Sequence, residues 1–248
     1  MSIIPKEYQT LSVGLQPLST VDWEENLSTV LFFSGCNLAC PYCHNPELAR
    51  GNTENTILLE EALAIIHQRR GFIDGVVLSG GEPTLYADAI HSIAEYLKAM
   101  NLKVKLDTNG LKPEVVQSLI QHNLIDMVAL DLKTLPDMYS LLGASSASAK
   151  NIDTTITYLK KTGIPFEIRT TTAPGIINTS VLLQLADYLI QHDIQSWILQ
   201  RYNDVSVLDP KYFHGKTPID FEHILSVLQN KNITIHQRGW KTEQAAIQ

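Results

Sequence analysis

The sequence predicts one α/β domain with a parallel sheet, and three observations carry that reading. Apolar runs of strand length alternate with stretches of helical periodicity from residue 29 onward. Nothing along the 248 residues marks an internal domain boundary. Polar and charged residues gather just after the apolar runs, at the C-terminal strand ends where α/β proteins carry their chemistry.

Thr29-Val-Leu-Phe-Phe33 is the first buried strand, followed by strand candidates Val76–Ser79, Val104–Thr108, Met127–Leu132, Phe166–Thr171 and Trp197–Tyr202. Between them, Leu59, Leu63 and Ile66 recur at i, i+4, i+7, with Gly71 as a C-cap. Ile90, Ile93, Ala94 and Leu97 form the next helical face, and Leu182, Leu185, Ala186 and Leu189 a later one. Six βα units with right-handed crossovers follow, too few for a closed eight-stranded barrel. Residues 1–28 read as an N-terminal extension of the sheet, 29–240 as the barrel and 241–248 as a frayed tail. Leu142-Gly-Ala-Ser-Ser-Ala-Ser-Ala149 is the most linker-like stretch, and its shortness makes it a loop within the domain.

All three cysteines lie in one window, Cys36-Asn-Leu-Ala-Cys40-Pro-Tyr-Cys43, directly after the first strand. Four chemistries suit such a loop. Cys40-Pro-Tyr-Cys43 resembles a glutaredoxin redox pair, and with His44 it satisfies the haem-attachment pattern. Zinc would need a fourth ligand, with His44 nearest. An iron–sulfur cluster on three thiolates would keep one iron open, since ordinary clusters take four. Haem attachment needs export, and Met1-Ser-Ile-Ile-Pro-Lys-Glu-Tyr8 has neither a basic n-region nor a long apolar h-region. The haem and redox readings both leave Cys36 unexplained. Ser79-Gly-Gly-Glu-Pro-Thr84, at the tip of the next strand, decides among them. Gly80 and Gly81 would let backbone approach a ligand without a Cβ between, and Glu82 would offer a carboxylate nearby.

Cys36-x3-Cys40-x2-Cys43, with Tyr42 before the last cysteine and Ser79-Gly-Gly-Glu-Pro83 downstream, resembles the radical S-adenosylmethionine superfamily. That resemblance implies an open partial (βα)6 TIM-like barrel and a 4Fe–4S cluster on Cys36, Cys40 and Cys43. Its open iron would take the amino and carboxylate groups of S-adenosylmethionine, which an electron cleaves to methionine and a 5′-deoxyadenosyl radical. Further segments are similar to the glycyl-radical-enzyme activases. They are Asp107-Thr-Asn-Gly110, Asp131-Leu-Lys133, Arg169-Thr-Thr-Thr-Ala-Pro-Gly175 and Cys43-His44-Asn45. That group contains pyruvate formate-lyase activating enzyme and the longer type of anaerobic ribonucleoside-triphosphate reductase activating protein. The second is echoed also in Gly14-Leu-Gln16 and Leu199-Gln-Arg201.

The resemblance implies catalytic roles for Asp131, Lys133 and Arg169. It implies cosubstrate contacts from Tyr42, His44, Gly80, Gly81, Glu82, Asp107, Thr108, Asp131, Lys133 and Asn203. Asp107, Thr108 and Asp131 would also form a monovalent-cation site. Asn203 stands where pyruvate formate-lyase activase has a histidine, which removes a titratable group. The implied partners are a glycyl-radical enzyme and a flavodoxin or ferredoxin, because no cysteines remain for auxiliary clusters. The rival enzymatic class acts on a small molecule, as 7-carboxy-7-deazaguanine synthase does with the same cysteine motif. A zinc or iron–sulfur binding module is the non-enzymatic rival, and a neighbouring glycyl-radical-enzyme gene would favour activation.

A net charge of −7 argues against an extended nucleic-acid surface, and no apolar stretch approaches a membrane span. An odd cysteine count without an export signal places the protein in the cytoplasm, where the sequons at Asn26 and Asn232 are chance matches.

Overall fold

Each of the six apolar runs forms a strand of one sheet. A computed structural model describes residue 8 and residues 10–52, 54–145, 147–203, 207–213 and 215–239. The strands are β1 (Ser12–Ser19), β2 (Ser28–Phe33), β3 (Ile57–Leu58), β4 (Gly75–Gly80), β5 (Lys103–Thr108), β6 (Met127–Asp131), β7 (Phe166–Thr171), β8 (Ser196–Gln200) and β9 (Thr234–Arg238). Their spatial order is β3-β1-β2-β4-β5-β6-β7-β8-β9. From β2 through β9 in that order every pairing is parallel, whereas β1 runs antiparallel to both β2 and β3. β3 and β9 each have one neighbour among the described residues, so the sheet is an open, partial barrel.

Helices α1 (Pro46–Ala49), α2 (Leu59–Arg69), α3 (Ala87–Ala99), α4 (Pro113–Gln121), α5 (Ser148–Thr162), α6 (Thr179–Gln191) and α7 (Phe221–Leu228) connect the strands. Period-two alternation divides the sheet's two faces. Leu31, Phe33, Val76, Leu78, Val104, Leu106, Val128, Leu130, Ile168, Trp197 and Leu199 join the large core with the apolar stripes of the helices. On α3 that stripe is Ile90, Ile93 and Leu97, all fully buried. Each such side chain stabilises the fold by about 1.5–3 kcal/mol relative to exposure. On the inner face, Val30 and Val77 meet Trp23 from the β1–β2 turn, with Phe32 and Met127 beside them. This small apolar floor closes the lumen below the strand ends.

The strand boundaries differ from the sequence reading by at most one residue, except at β8, which ends at Gln200, two residues before Tyr202. Two strands go beyond that reading, and one expected cap is corrected. β9 adds a seventh parallel strand, and β3 adds a two-residue edge. Gly71 does not cap α2, whose C-cap is Arg70 in the right-handed region, and Gly71 is not among the residues with positive φ. The tail expected over 241–248 lies outside the described residues. Among the described residues no helix is long and apolar enough to cross a membrane.

Candidate functional site

After Phe33 the chain turns through Gly35, at φ 79°, and runs as an extended loop to α1, where Pro46 occupies the first turn. Backbone bonds pin this loop on several sides. Gly35 N donates to Leu48 O at 2.7 Å, Ala39 N to Leu142 O at 2.7 Å, Cys43 N to Cys40 O at 3.0 Å and Asp209 N to Pro41 O at 3.0 Å. With the main chain so held, the three thiols face one cavity of about 210 Å3 at the C-terminal ends of β2, β4, β5 and β6. Cys40 is buried, and Cys36 and Cys43 are half-buried. Burial raises the Cys36 thiol, and pushes Cys40 up to about 12 against the opposing Lys133 ammonium.

The donor set fits a polynuclear iron–sulfur group. The basis of that fit is chemical: three thiols of one loop line a single cavity, and thiolates are the ligands that iron–sulfur clusters take. Bound iron would replace the thiol protons that burial holds in place.

The Gly80-Gly81-Glu82 turn lines the same cavity, and its glycines also serve a packing need of the protein itself. A Cβ on Gly80, at φ 124°, would stand 2.3 Å from Phe33 N and 2.4 Å from Phe33 O. One on Gly81 would stand 2.0 Å from Gly35 O. The glycines therefore let β4 close onto the root of the cysteine loop, where Gly81 N donates to Phe33 O and Glu82 N to Gly35 O. Glu82 lines the same cavity and is held by the protein itself. It is fully buried, and its Oε1 accepts from Thr84 N (3.1 Å), Thr84 Oγ1 (2.6 Å) and Thr108 Oγ1 (2.8 Å), while Oε2 accepts from Asn109 N (2.7 Å). Burial raises its pKa despite these donors. Its carboxylate ties the β4 and β5 turns together, and Thr108 spends its hydroxyl on that tie.

A row of charges lines the lumen beneath. Arg169 Nε donates to Asp131 Oδ1 at 2.8 Å, and its Nη1 lies 3.4 Å from Asp107 Oδ2 and 3.5 Å from Glu167 Oε1. Lys133 Nζ donates to Asp131 Oδ2 at 2.9 Å, and Ser79 Oγ to Asp107 Oδ2 at 3.2 Å. Burial alone would raise Asp131, but Arg169 and Lys133 together hold it well below the usual carboxylate range. The same contacts hold Lys133 and Arg169 charged against the cost of burial. Lys133 is itself fixed from both sides, since its N–H donates to Tyr139 Oη at 3.0 Å and its carbonyl accepts from Tyr42 Oη at 3.5 Å.

Of the residues expected at the site, Cys36, Cys40, Tyr42, Cys43, His44, Gly80, Gly81, Glu82, Asp107, Thr108, Asp131 and Lys133 all line the cavity. Arg169 and Asn203 do not. Arg169 stands behind Asp131 and Asp107, and Asn203 meets the loop through its backbone carbonyl, 2.9 Å from His44 Nε2. The sequence reading missed Asn37 and Asn109, whose side chains bond at 2.7 Å across the cavity rim, and the pair Lys105 and Glu167. Lys105 and Glu167 each sit two residues before a named site residue, and period two is the signal that places them on the same face.

A family model described as the radical SAM superfamily matches residues 30–181. A protein of Methanocaldococcus jannaschii named for glycyl-radical enzyme activation is 34% identical over 228 residues, 89% of this chain and 90% of its own length. The pyruvate formate-lyase 1-activating enzyme of Escherichia coli K12 is 30% identical over 184 residues, 71% of this chain and 70% of that enzyme. Among solved structures, Streptococcus suis SuiB bound to S-adenosylmethionine superposes with a TM-score of 0.58 at 20% identity over 85% of this chain. This chain spans 52% of that structure's length, so the likeness speaks for the fold.

Proposed function

Because the chain belongs to the radical SAM superfamily, we propose that it is an activating enzyme that installs a glycyl radical on a partner protein. One observation carries the reading. A chain with a single three-thiol loop matches, over nine-tenths of both lengths, a relative named for that activity. In this reading residues 29–240 are the catalytic barrel and residues 1–28 its extension.

Cys36, Cys40 and Cys43 would hold a 4Fe–4S cluster. When bound, the cluster supplies the electron that splits S-adenosylmethionine into methionine and a 5′-deoxyadenosyl radical, which takes a hydrogen atom from a glycine Cα. The chain's own residues do the rest. Gly80 and Gly81 bring β4 against the cysteine loop, so that loop and strand ends share one cavity. Lys133 presents an ammonium to an anionic group such as the methionine carboxylate, and Asp131 a carboxylate to a cationic one. Arg169 acts as a positioning residue that aims Asp131 and Asp107. Tyr42 and Tyr139 hold the Lys133 backbone. His44, latched to the Asn203 carbonyl, sits at the rim near the cosubstrate.

The partner is a glycyl-radical enzyme of the anaerobic ribonucleotide reductase or pyruvate formate-lyase kind, and the electron comes from a flavodoxin or ferredoxin in the cytoplasm. The test mixes the anaerobically reconstituted, reduced protein, S-adenosylmethionine and a candidate glycyl-radical enzyme, and records the electron paramagnetic resonance spectrum. A doublet from a glycyl radical coupled to its α-hydrogen supports activation. Turnover of a deazapurine precursor, with no radical on any protein, would transfer the assignment to a small-molecule enzyme.

A further inference from the structure

The resemblance to activases implies a monovalent cation on Asp107, Thr108 and Asp131, and the donors present do not fit one. Thr108 Oγ1 donates to Glu82 Oε1 at 2.8 Å and accepts from Gly110 N at 3.1 Å. Both Asp131 oxygens are taken, Oδ1 by Arg169 Nε at 2.8 Å and Oδ2 by Lys133 Nζ at 2.9 Å. Asp107 Oδ2 accepts from Ser79 Oγ and lies 3.4 Å from Arg169 Nη1. A sodium or potassium ion would have to compete with a protein cation at each carboxylate it met.

One oxygen of the three residues is different. Asp107 Oδ1 is buried and makes no hydrogen bond to any described residue, yet an ammonium lies 3.5 Å away. That ammonium is Lys105 Nζ, on a side chain only 1% exposed. It donates to Asp22 O at 2.6 Å and lies 3.3 Å from Glu167 Oε1. A carbonyl and two carboxylates around one buried positive charge is an oxygen donor set of the kind that binds a small hard cation. Here the charge is covalently part of β5. Inside the lumen, the carboxylates of Asp107, Asp131 and Glu167 face the cations Lys105, Lys133 and Arg169, with Arg238 reaching Glu167 from β9 at 3.4 Å. Charge is thus compensated with no added ion.

We propose that the Lys105 ammonium is the built-in cation of this site, supplying to Asp107 and Glu167 the charge that a bound sodium or potassium ion would otherwise supply. Lys105 is a positioning residue: it fixes Asp107 on the cavity wall and ties the wall to the Asp22-Trp23 turn that floors the lumen. The inference deepens the assignment of the cavity to S-adenosylmethionine, but its test does not depend on that assignment.

The thermal midpoint of the cluster-free chain is measured in choline, sodium and potassium chloride at one ionic strength, for the wild type, Lys105→Met and Lys105→Arg. The wild-type midpoint should be the same in all three salts. Lys105→Met leaves two buried carboxylates short of a partner, so it should melt lower in choline and recover part of the loss in sodium or potassium. Lys105→Arg keeps the charge and should remain indifferent to the salt. In the reconstituted protein, Lys105→Met should cleave S-adenosylmethionine about tenfold or more slowly in choline, with sodium or potassium restoring most of the rate. A wild-type midpoint that rises with sodium or potassium over choline overturns the proposal, and that holds even if Lys105→Met does not fold. So does a Lys105→Met chain indistinguishable from wild type in every salt. If no variant cleaves S-adenosylmethionine in any salt, the functional assignment fails, and the midpoints still decide the role of Lys105.

Discussion

Glu82 receives four hydrogen bonds from two different turns, and no bond it makes depends on a ligand. A glutamine of the same shape keeps the bonds to one oxygen but turns an N–H toward the Asn109 N–H. Glu82→Gln should therefore cost about 1–3 kcal/mol, the penalty of leaving a buried donor unpaired. Urea unfolding of the cluster-free protein checks this, and an unchanged midpoint would return Glu82 to the role of a cosubstrate ligand. Gly81 is equally constrained by the protein itself. Gly81→Ala should destabilise the chain by about 3 kcal/mol, because the added Cβ meets the Gly35 carbonyl and neither backbone segment can yield. If Gly81→Ala folds normally and loses only S-adenosylmethionine affinity, the glycines serve ligand approach after all.

β6 and β7 pair in parallel with Asp131 opposite Arg169, so one rung of the ladder holds the clamp that aims the site's carboxylates. Removing the guanidinium leaves Asp131, Asp107 and Glu167 without a shared cation. Arg169→Met should destabilise the fold by about 3–5 kcal/mol, read by thermal or urea unfolding. The clamp also has a pH signature. Arg169 and Lys133 depress the folded-state pKa of Asp131, so its stabilising contribution is complete above the unfolded value and is lost as pH falls through the folded one. The stability gap between wild type and Asp131→Asn should be full at neutral pH and close only below the usual carboxylate range. A gap that widens on acidification would contradict the clamp. At this scale the sequence was most legible where strands are buried on both faces, as in Thr29–Phe33 and Val76–Leu78, because continuous apolar or β-branched runs have few other uses. It was least legible at the sheet's edges. Thr234–Arg238 holds a single strong apolar residue, and Ile57–Leu58 is too short for any period to show; β8 and β1 specify them by pairing.

Across the whole molecule, every parallel strand delivers its C-terminal end to the same side, which is why motifs scattered from Cys36 to Lys133 line one cavity. That convergence was readable from strand-end chemistry alone. What was not readable was which polar groups face a ligand and which face each other. Glu82, Thr108 and Arg169 sit at strand ends, and each also bonds a side chain distant in sequence, a pairing no local pattern reveals. The cysteines escape that ambiguity, since burial raises Cys36 and Cys40 despite the opposing Lys133 ammonium, and the loop's backbone bonds are already made. If these three thiols hold the proposed cluster, the loaded protein cleaves S-adenosylmethionine. The most direct measurement is iron, labile sulfide and 5′-deoxyadenosine on one anaerobically reconstituted sample, with Cys36→Ala, Cys40→Ala and Cys43→Ala in parallel. The wild-type chain should carry about four irons and as many sulfides and release 5′-deoxyadenosine and methionine only with reductant, and each variant should lose that release. One tightly bound zinc with no labile sulfide, or a cysteine variant that still forms 5′-deoxyadenosine, would contradict it.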